Sequence, residues 1–211
     1  MNNINNVMSL MDTSGMLLAR NVMASGISKY DFYQFIRNNK LEKISHGVYL
    51  SPEAWEDPAY VLHLRCPQAV FSHDEALYYH DLVDREPMQQ TITVYSGYNT
   101  KSLKASGVKV YSVKKELLNL GLISITNSFG HEIPIYDLER TICDLIRSRS
   151  RFDFQDFQSA LRRYAIRHDK DLNKLMQYAD KLRVQRVLKQ YTRTSKKIGS
   201  FTHCDNTHFK I

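Results

Sequence analysis

Residues 13–52 read TSGMLLARNVMASGISKYDFYQFIRNNKLEKISHGVYLSP, and the fold turns on this stretch. Two short helical patterns flank a glycine turn at Gly26, and two strand-like runs then flank Gly47. That order predicts a winged helix-turn-helix. In the first helix, Thr13 or Ser14 is a candidate N-cap, Leu17 through Met23 supply apolar positions, and Gly26 is the stop. The second helix opens Ser28-Lys29-Tyr30-Asp31, a capping box in which Asp31 replaces the usual Glu or Gln. Phe32, Phe35 and Ile36 fall at i, i+3 and i+4 and form one buried stripe. The opposite face then carries Tyr30, Gln34 and Arg37, flanked by Lys29, Tyr33 and Asn38. Gln and Arg side chains read base edges through paired hydrogen bonds, and the others suit phosphates. Residues 41–44 and 48–50 predict a hairpin around Ser45-His46-Gly47, with Lys43 and His46 on the wing.

Working outward, the distribution of charge says more than its total of +7. Residues 1–50 carry five Lys/Arg against three Asp/Glu, so the reading head is only modestly basic. Residues 51–144 are net −5, and residues 145–200 are net +10. A basic patch of that size predicts a polyanionic partner. Cys66, Cys143 and Cys204 are odd in number and form no CxxC pair, which supports neither a disulfide framework nor a zinc ribbon. No apolar run has the length of a membrane span, and the first residues lack a basic-then-apolar export signal. A reducing cytoplasm is the default expectation, without cofactor or membrane partner.

The segment before the opening stretch places Ile4, Val7, Met8 and Met11 on one helical face, a support helix for the pair. Ser51-Pro52-Glu53 marks a boundary, which gives a DNA-binding domain over 1–52 and a second domain over 53–194. Asp57-Pro58 restarts a helix. In SHDEALYYHDL, Ser72 and Glu75 have capping-box spacing; His73-Asp74 and His80-Asp81 lack the further ligands that a metal site needs. Residues 90–95 and 108–113 read as strands around a helix at 99–106, and 122–127 with 131–136 read as a hairpin. Asp137 caps LERTICDLIRSR. The fold class is therefore mixed α/β (α+β), with a small sheet followed by basic helices.

The last third hides apolar stripes and shows cationic ones. Phe154, Phe157, Leu161 and Tyr164 leave Arg151, Arg162 and Arg163 outward. Leu172, Leu175, Met176 and Ala179 leave Lys170, Lys174 and Lys181 outward, and Val184, Val187, Leu188 and Tyr191 leave Arg186, Lys189 and Arg193. Neutralising Arg162, Arg163 and Lys174 is expected to lower the salt dependence of nucleic-acid binding. Residues 195–211 read as a flexible tail whose His203, Cys204, Asp205 and His208 are incidental.

Taken together, the HGVYLSP ending of the wing, VFSHDEALYYHDL, TITVY and IPIYDLERTICDLI resemble the AbiEi-type abortive-infection antitoxins. The resemblance runs from about Gly15 to about Tyr191 and lies in the combined order of motifs. It implies a non-enzymatic transcriptional repressor from a bacterial type IV toxin–antitoxin, phage-defence pair. Such a protein binds inverted repeats in the promoter of its own operon, as a monomer in solution with two copies on DNA. It further implies a functional partner, a nucleotidyltransferase-like toxin, neutralised without a stable complex. Recognition helices of that family are often richer in Arg than this one.

Two other classes compete. A nuclease needs a carboxylate cluster with a nearby Lys, and the spacing of Asp137, Glu139 and Asp144 turns them to different sides of a helix. A non-catalytic module holding RNA or an acidic protein on its basic helices predicts indifference to changes at Gln34 and Arg37.

Overall fold

A computed structural model describes residues 6–191. The chain is mixed α and β and divides into two compact units. One runs to Gln68 and includes Ser124–Ile133; the other comprises Ala69–Ile123 and resumes at Pro134.

In the first unit, β1 (Met16–Leu18), β2 (Glu42–Ser45) and β3 (Val48–Leu50) form an antiparallel sheet in the order β1-β3-β2. Helices α1 (Ala19–Ala24) and α2 (Lys29–Asn38) lie in sequence between β1 and β2, and α3 (Pro58–Arg65) follows β3. The expected start of the first helix at a Thr13 or Ser14 cap is corrected here. Met16, Leu17 and Leu18 are all buried, paired in register with Leu50, Tyr49 and Val48. Leu17 joins Val7, Val22, Ile27, Phe32 and Phe35 in one core, while Met16 and Leu18 join Val48, Leu50 and Val61 in another. An apolar run buried on both faces has no period to separate strand from helix. Consequently α1 starts only at Ala19, with Leu18 at the cap position and no side-chain cap; Asp12 Oδ1 instead accepts from Ser14 N and Met16 N.

Two further corrections concern this unit. Of the expected support helix, residues 6–8 are helical, Val7 is buried and Met8 is 62% exposed; Ile4 lies outside the described residues. The boundary at Pro52 also moves. Val61 packs with Met16 and Leu50, so α3 belongs to the first core, and the division falls at Gln68.

The second unit is built on β4 (Val70–Phe71), β5 (Thr91–Tyr95) and β6 (Lys109–Val113), with the parts of β7 (Leu122–Thr126) and β8 (Glu132–Tyr136) outside Ser124–Ile133; the strand order is β6-β5-β4-β8-β7. β4 pairs antiparallel to β5 and parallel to β8, and β5 pairs parallel to β6 across α5 (Lys101–Ala105). Its central helix is α6 (Leu138–Arg147), buried from Leu138 through Ile146 and capped by Asp137, which accepts from Arg140 N at 2.8 Å. Around it pack α4 (Asp74–Tyr79), α7 (Phe154–Ile166) and α8 (Leu172–Lys181). Residues 185–191 continue as helix.

Three sequence expectations fail in this unit. Ser72 and Glu75 do not form a capping box. His73 occupies the cap position with φ 53°, while Ser72 Oγ lies 2.8 Å from Thr93 Oγ1 and 3.0 Å from His73 Nδ1. Phe154 (68% exposed) and Leu172 (56%) lie outside the core, each in the first turn of its helix, where fewer neighbours cover a side chain. Phe157, Tyr164, Leu175 and Ala179 are buried as the spacing requires.

Candidate nucleic-acid interface

The candidate interface is built on α2. Ser28 Oγ accepts from Asp31 N at 3.1 Å and donates to Asp31 Oδ2 at 2.9 Å, so a short acidic residue closes the capping arrangement. Asp31 also lies in the first turn, where the helix dipole favours negative charge. The inner face is held by Phe32 and Phe35, with the Phe32 ring edge-on to Tyr49 at 5.3 Å. Fixing those two rings fixes what the outer face presents. Lys29, Tyr30, Tyr33, Arg37 and Asn38 are exposed and Gln34 is half-buried.

The adjoining hairpin turns at His46-Gly47, where Gly47 has φ 71°. Lys43 and His46 are exposed on it. Ala19 N donates to Gly47 O at 2.8 Å, which ties the start of α1 to the hairpin turn. Arg20, the next residue, is exposed and close enough to lower the His63 pKa, though burial of that imidazole is the larger cause. Sequence reading passed over Arg20, because its place beside the turn depends on the β1–β3 pairing.

The basic helices of the second unit are less available than their sequence promises. Arg163 is bonded through both terminal nitrogens to the Asp84 carboxylate. Lys174 Nζ lies 3.0 Å from Asp137 Oδ2 and 3.4 Å from Glu139 Oε2. Burial pulls that ammonium down, but the bond to Asp137 and the two negative charges outweigh it and raise its pKa. Lys170 Nζ donates to Arg167 O at 2.5 Å, and Arg162 reaches Gln158 Oε1 at 3.4 Å. The Arg151 guanidinium is exposed 5.1 Å from the Tyr111 ring centroid. Lys181, Arg186 and Lys189 are exposed, and Arg193 lies outside the described residues, as do the four tail residues 203, 204, 205 and 208.

Two acidic clusters deserve a chemical reading. Asp137 and Glu139 do meet a lysine, contrary to the divergence expected from their spacing, because Lys174 arrives from α8. Their oxygens are already committed: Asp137 accepts from Arg140 N and Tyr178 OH, and Glu139 Oε1 accepts from Asp171 N. Asp144 points elsewhere, bonded to Arg140 Nε at 2.9 Å. In the first unit, His131 Nδ1 lies 2.7 Å from Asp57 Oδ2, and its Nε2 lies 3.2 Å from Asp12 Oδ2 and 3.3 Å from Ser14 Oγ. The Ser14 hydroxyl donates to Asp12 Oδ1 at 2.6 Å, away from the imidazole. A carboxylate beside a serine also opposes the negative charge of an acyl-transfer intermediate. The group reads as a clasp, reinforced by Asn127 Nδ2 on Asp57 at 2.7 Å and by Tyr60 stacked on the imidazole at 4.0 Å. Among the described residues no group of three or more His, Cys, Asp or Glu side chains is placed to hold a metal, and no helix is long and apolar enough to cross a membrane.

The fold has a counterpart. It is similar to that of the RV2827C protein from Mycobacterium tuberculosis, with a TM-score of 0.58, 15% identity, and coverage of 83% of this chain and 70% of that one. At that identity the likeness is one of fold. No family model matches the chain, and no curated protein matches it.

Proposed function

We propose that this protein is a sequence-reading DNA-binding repressor whose first unit is a winged helix-turn-helix, with α2 as the recognition helix and the β2–β3 hairpin as the wing. The observation that carries the reading is the outer face of α2. A capped helix with its inner rings locked presents Tyr30, Tyr33, Arg37 and Asn38 to solvent beside a hairpin bearing Lys43 and His46. An α-helix fits the major groove, where Arg and Gln read guanine and adenine edges. The flanking cations supply phosphate contacts that position but do not specify. The resemblance to AbiEi-type antitoxins supports the further step that the DNA is an inverted repeat upstream of the protein's own gene, and that a nucleotidyltransferase-like toxin is its functional partner.

The test is a gel-shift titration against the DNA directly upstream of the gene at two salt concentrations, with scrambled duplex as competitor. Wild type is compared with a Gln34→Ala/Arg37→Ala variant. Tight binding to the upstream duplex is expected, with the variant losing about 10- to 100-fold of its preference over scrambled DNA. Equal, salt-sensitive binding of both duplexes by both proteins sinks the reading and leaves a basic surface that holds RNA or an acidic protein.

A further inference from the structure

The outer face of α2 is unusual for a surface meant only to grip a polyanion. Two of its exposed groups are aromatic: Tyr30 is 72% exposed and Tyr33 is 50% exposed. They stand three residues apart, so both rings project from one side of the helix, with Gln34 and Arg37 next along the same stripe. Tyrosine joins an apolar ring to a polar tip and is enriched at interfaces. Tyr33 is also fixed in place. Its ring is 5.5 Å from that of Phe32, which is itself buried. Tyr30, in the first turn, is the more open of the two.

Within the major groove, one base-edge group is apolar, the C5-methyl of thymine, and it is recognised by apolar contact. The charge around the stripe fits the same occupant, because Lys29 and Arg37 on α2, Arg20 on α1 and Lys43 on the hairpin are all exposed. We infer that Tyr30 and Tyr33 read thymine methyl groups, and that the half-site recognised by this protein is defined by thymines facing the first turn of α2. The inference rests on the DNA-reading role proposed above and adds which base carries the selectivity. Seven residues separate Tyr30 from Arg37, about 10 Å along the helix axis. Where the helix follows the groove, a guanine read by Arg37 lies roughly three base pairs from those thymines.

The experiment uses the full chain and a duplex selected by it from a random pool. A second copy of that duplex has the half-site thymines replaced by deoxyuridine, which removes the methyl groups and leaves every hydrogen-bonding group in place. Wild type is expected to bind the deoxyuridine copy about 3- to 10-fold more weakly. Tyr30→Phe keeps that difference, because the ring and not the hydroxyl makes the contact. Tyr30→Ala binds more weakly and narrows the difference between the two copies, with Tyr33 keeping the remainder; the exposure of Tyr30 leaves folding intact, which a thermal melt verifies.

Equal binding of the two copies by wild type, or an undiminished difference in Tyr30→Ala, overturns the thymine assignment while leaving the repressor reading standing. Failure of wild type to prefer its selected duplex over a scrambled one overturns both.

Discussion

On α2, Lys29 and Arg37 face solvent beside two exposed tyrosines, whereas on α7 and α8 Arg163 and Lys174 are bonded to Asp84 and to Asp137 with Glu139. The first unit has few cations and displays them. The second has many and spends a large part of them on its own carboxylates and carbonyls. Arg167 follows the same habit, forked on Asp169 and donating to His80 O at 2.7 Å. Formal charge is therefore a poor guide to which region meets a polyanion: what matters is how much of that charge is uncompensated at the surface.

The extreme case is Arg140, fully buried on the central helix. Its Nε bonds Asp144 at 2.9 Å, its Nη1 donates to Leu117 O and Leu120 O, and its guanidinium lies 4.1 Å from the Tyr136 ring centroid. Gly121 makes room for it: a Cβ there would come within 2.6 Å of Arg140 Cβ, and its φ of 76° also favours glycine. Burial pushes the Asp144 carboxyl up while the guanidinium opposes that push. Arg140→Met strands the carboxylate and two carbonyls, and is expected to cost about 3–5 kcal/mol in denaturant unfolding. A loss under about 1 kcal/mol would mean that the second unit does not depend on cations turned inward, and the contrast between the units would lose its strongest support.

Burial of charge also gives the second unit a pH dependence. Glu75 is pushed up to about 7 from an ordinary 4.5, first by burial and then by the charges of Glu86 and Asp74. A carboxyl with a raised folded pKa contributes stability that is complete below the unfolded value and is lost as pH rises through the folded one. The loss falls between about pH 4.5 and 7 and is on the order of 3 kcal/mol at most. Glu75→Gln is expected to remove that component of the slope and to be more stable than wild type at pH 7.5. Parallel unfolding curves for the two proteins at pH 5 and pH 7.5 would refute the assignment.

How far the sequence could be read follows the same line between local and distant causes. The α2 stripe was legible because capping and 3.6-residue periodicity act within one helix, and Phe32 and Phe35 are buried as the spacing requires. So were β5, β6 and the cap at Asp137. Met16–Leu18 was not, because a strand covered on both faces is apolar throughout. Nor were the partners of Arg163 and Lys174, which lie 79 and 37 residues away from Asp84 and Asp137 in the chain. The clasp of Asp12, Asp57 and His131 joins residues 74 or more positions apart, and no local pattern announces it.

The smallest effect separates the two regions most directly, because it measures uncompensated charge rather than stability. Each cation that neutralises a phosphate contributes about 0.9 to the slope of log affinity against log salt. Removing the flanking cations Lys29 and Lys43 together is expected to lower the slope by about 2. Removing Arg163 and Lys174 is expected to change it by well under 1, since each already faces a carboxylate and releases no counterion on binding. Arg186→Gln supplies the intermediate case, exposed but on the second unit. Slopes measured by fluorescence anisotropy between 50 and 200 mM salt distinguish the cases. A large drop for the Arg163/Lys174 pair would show that DNA competes those cations away from Asp84, Asp137 and Glu139, and would make the second unit a phosphate-gripping surface after all.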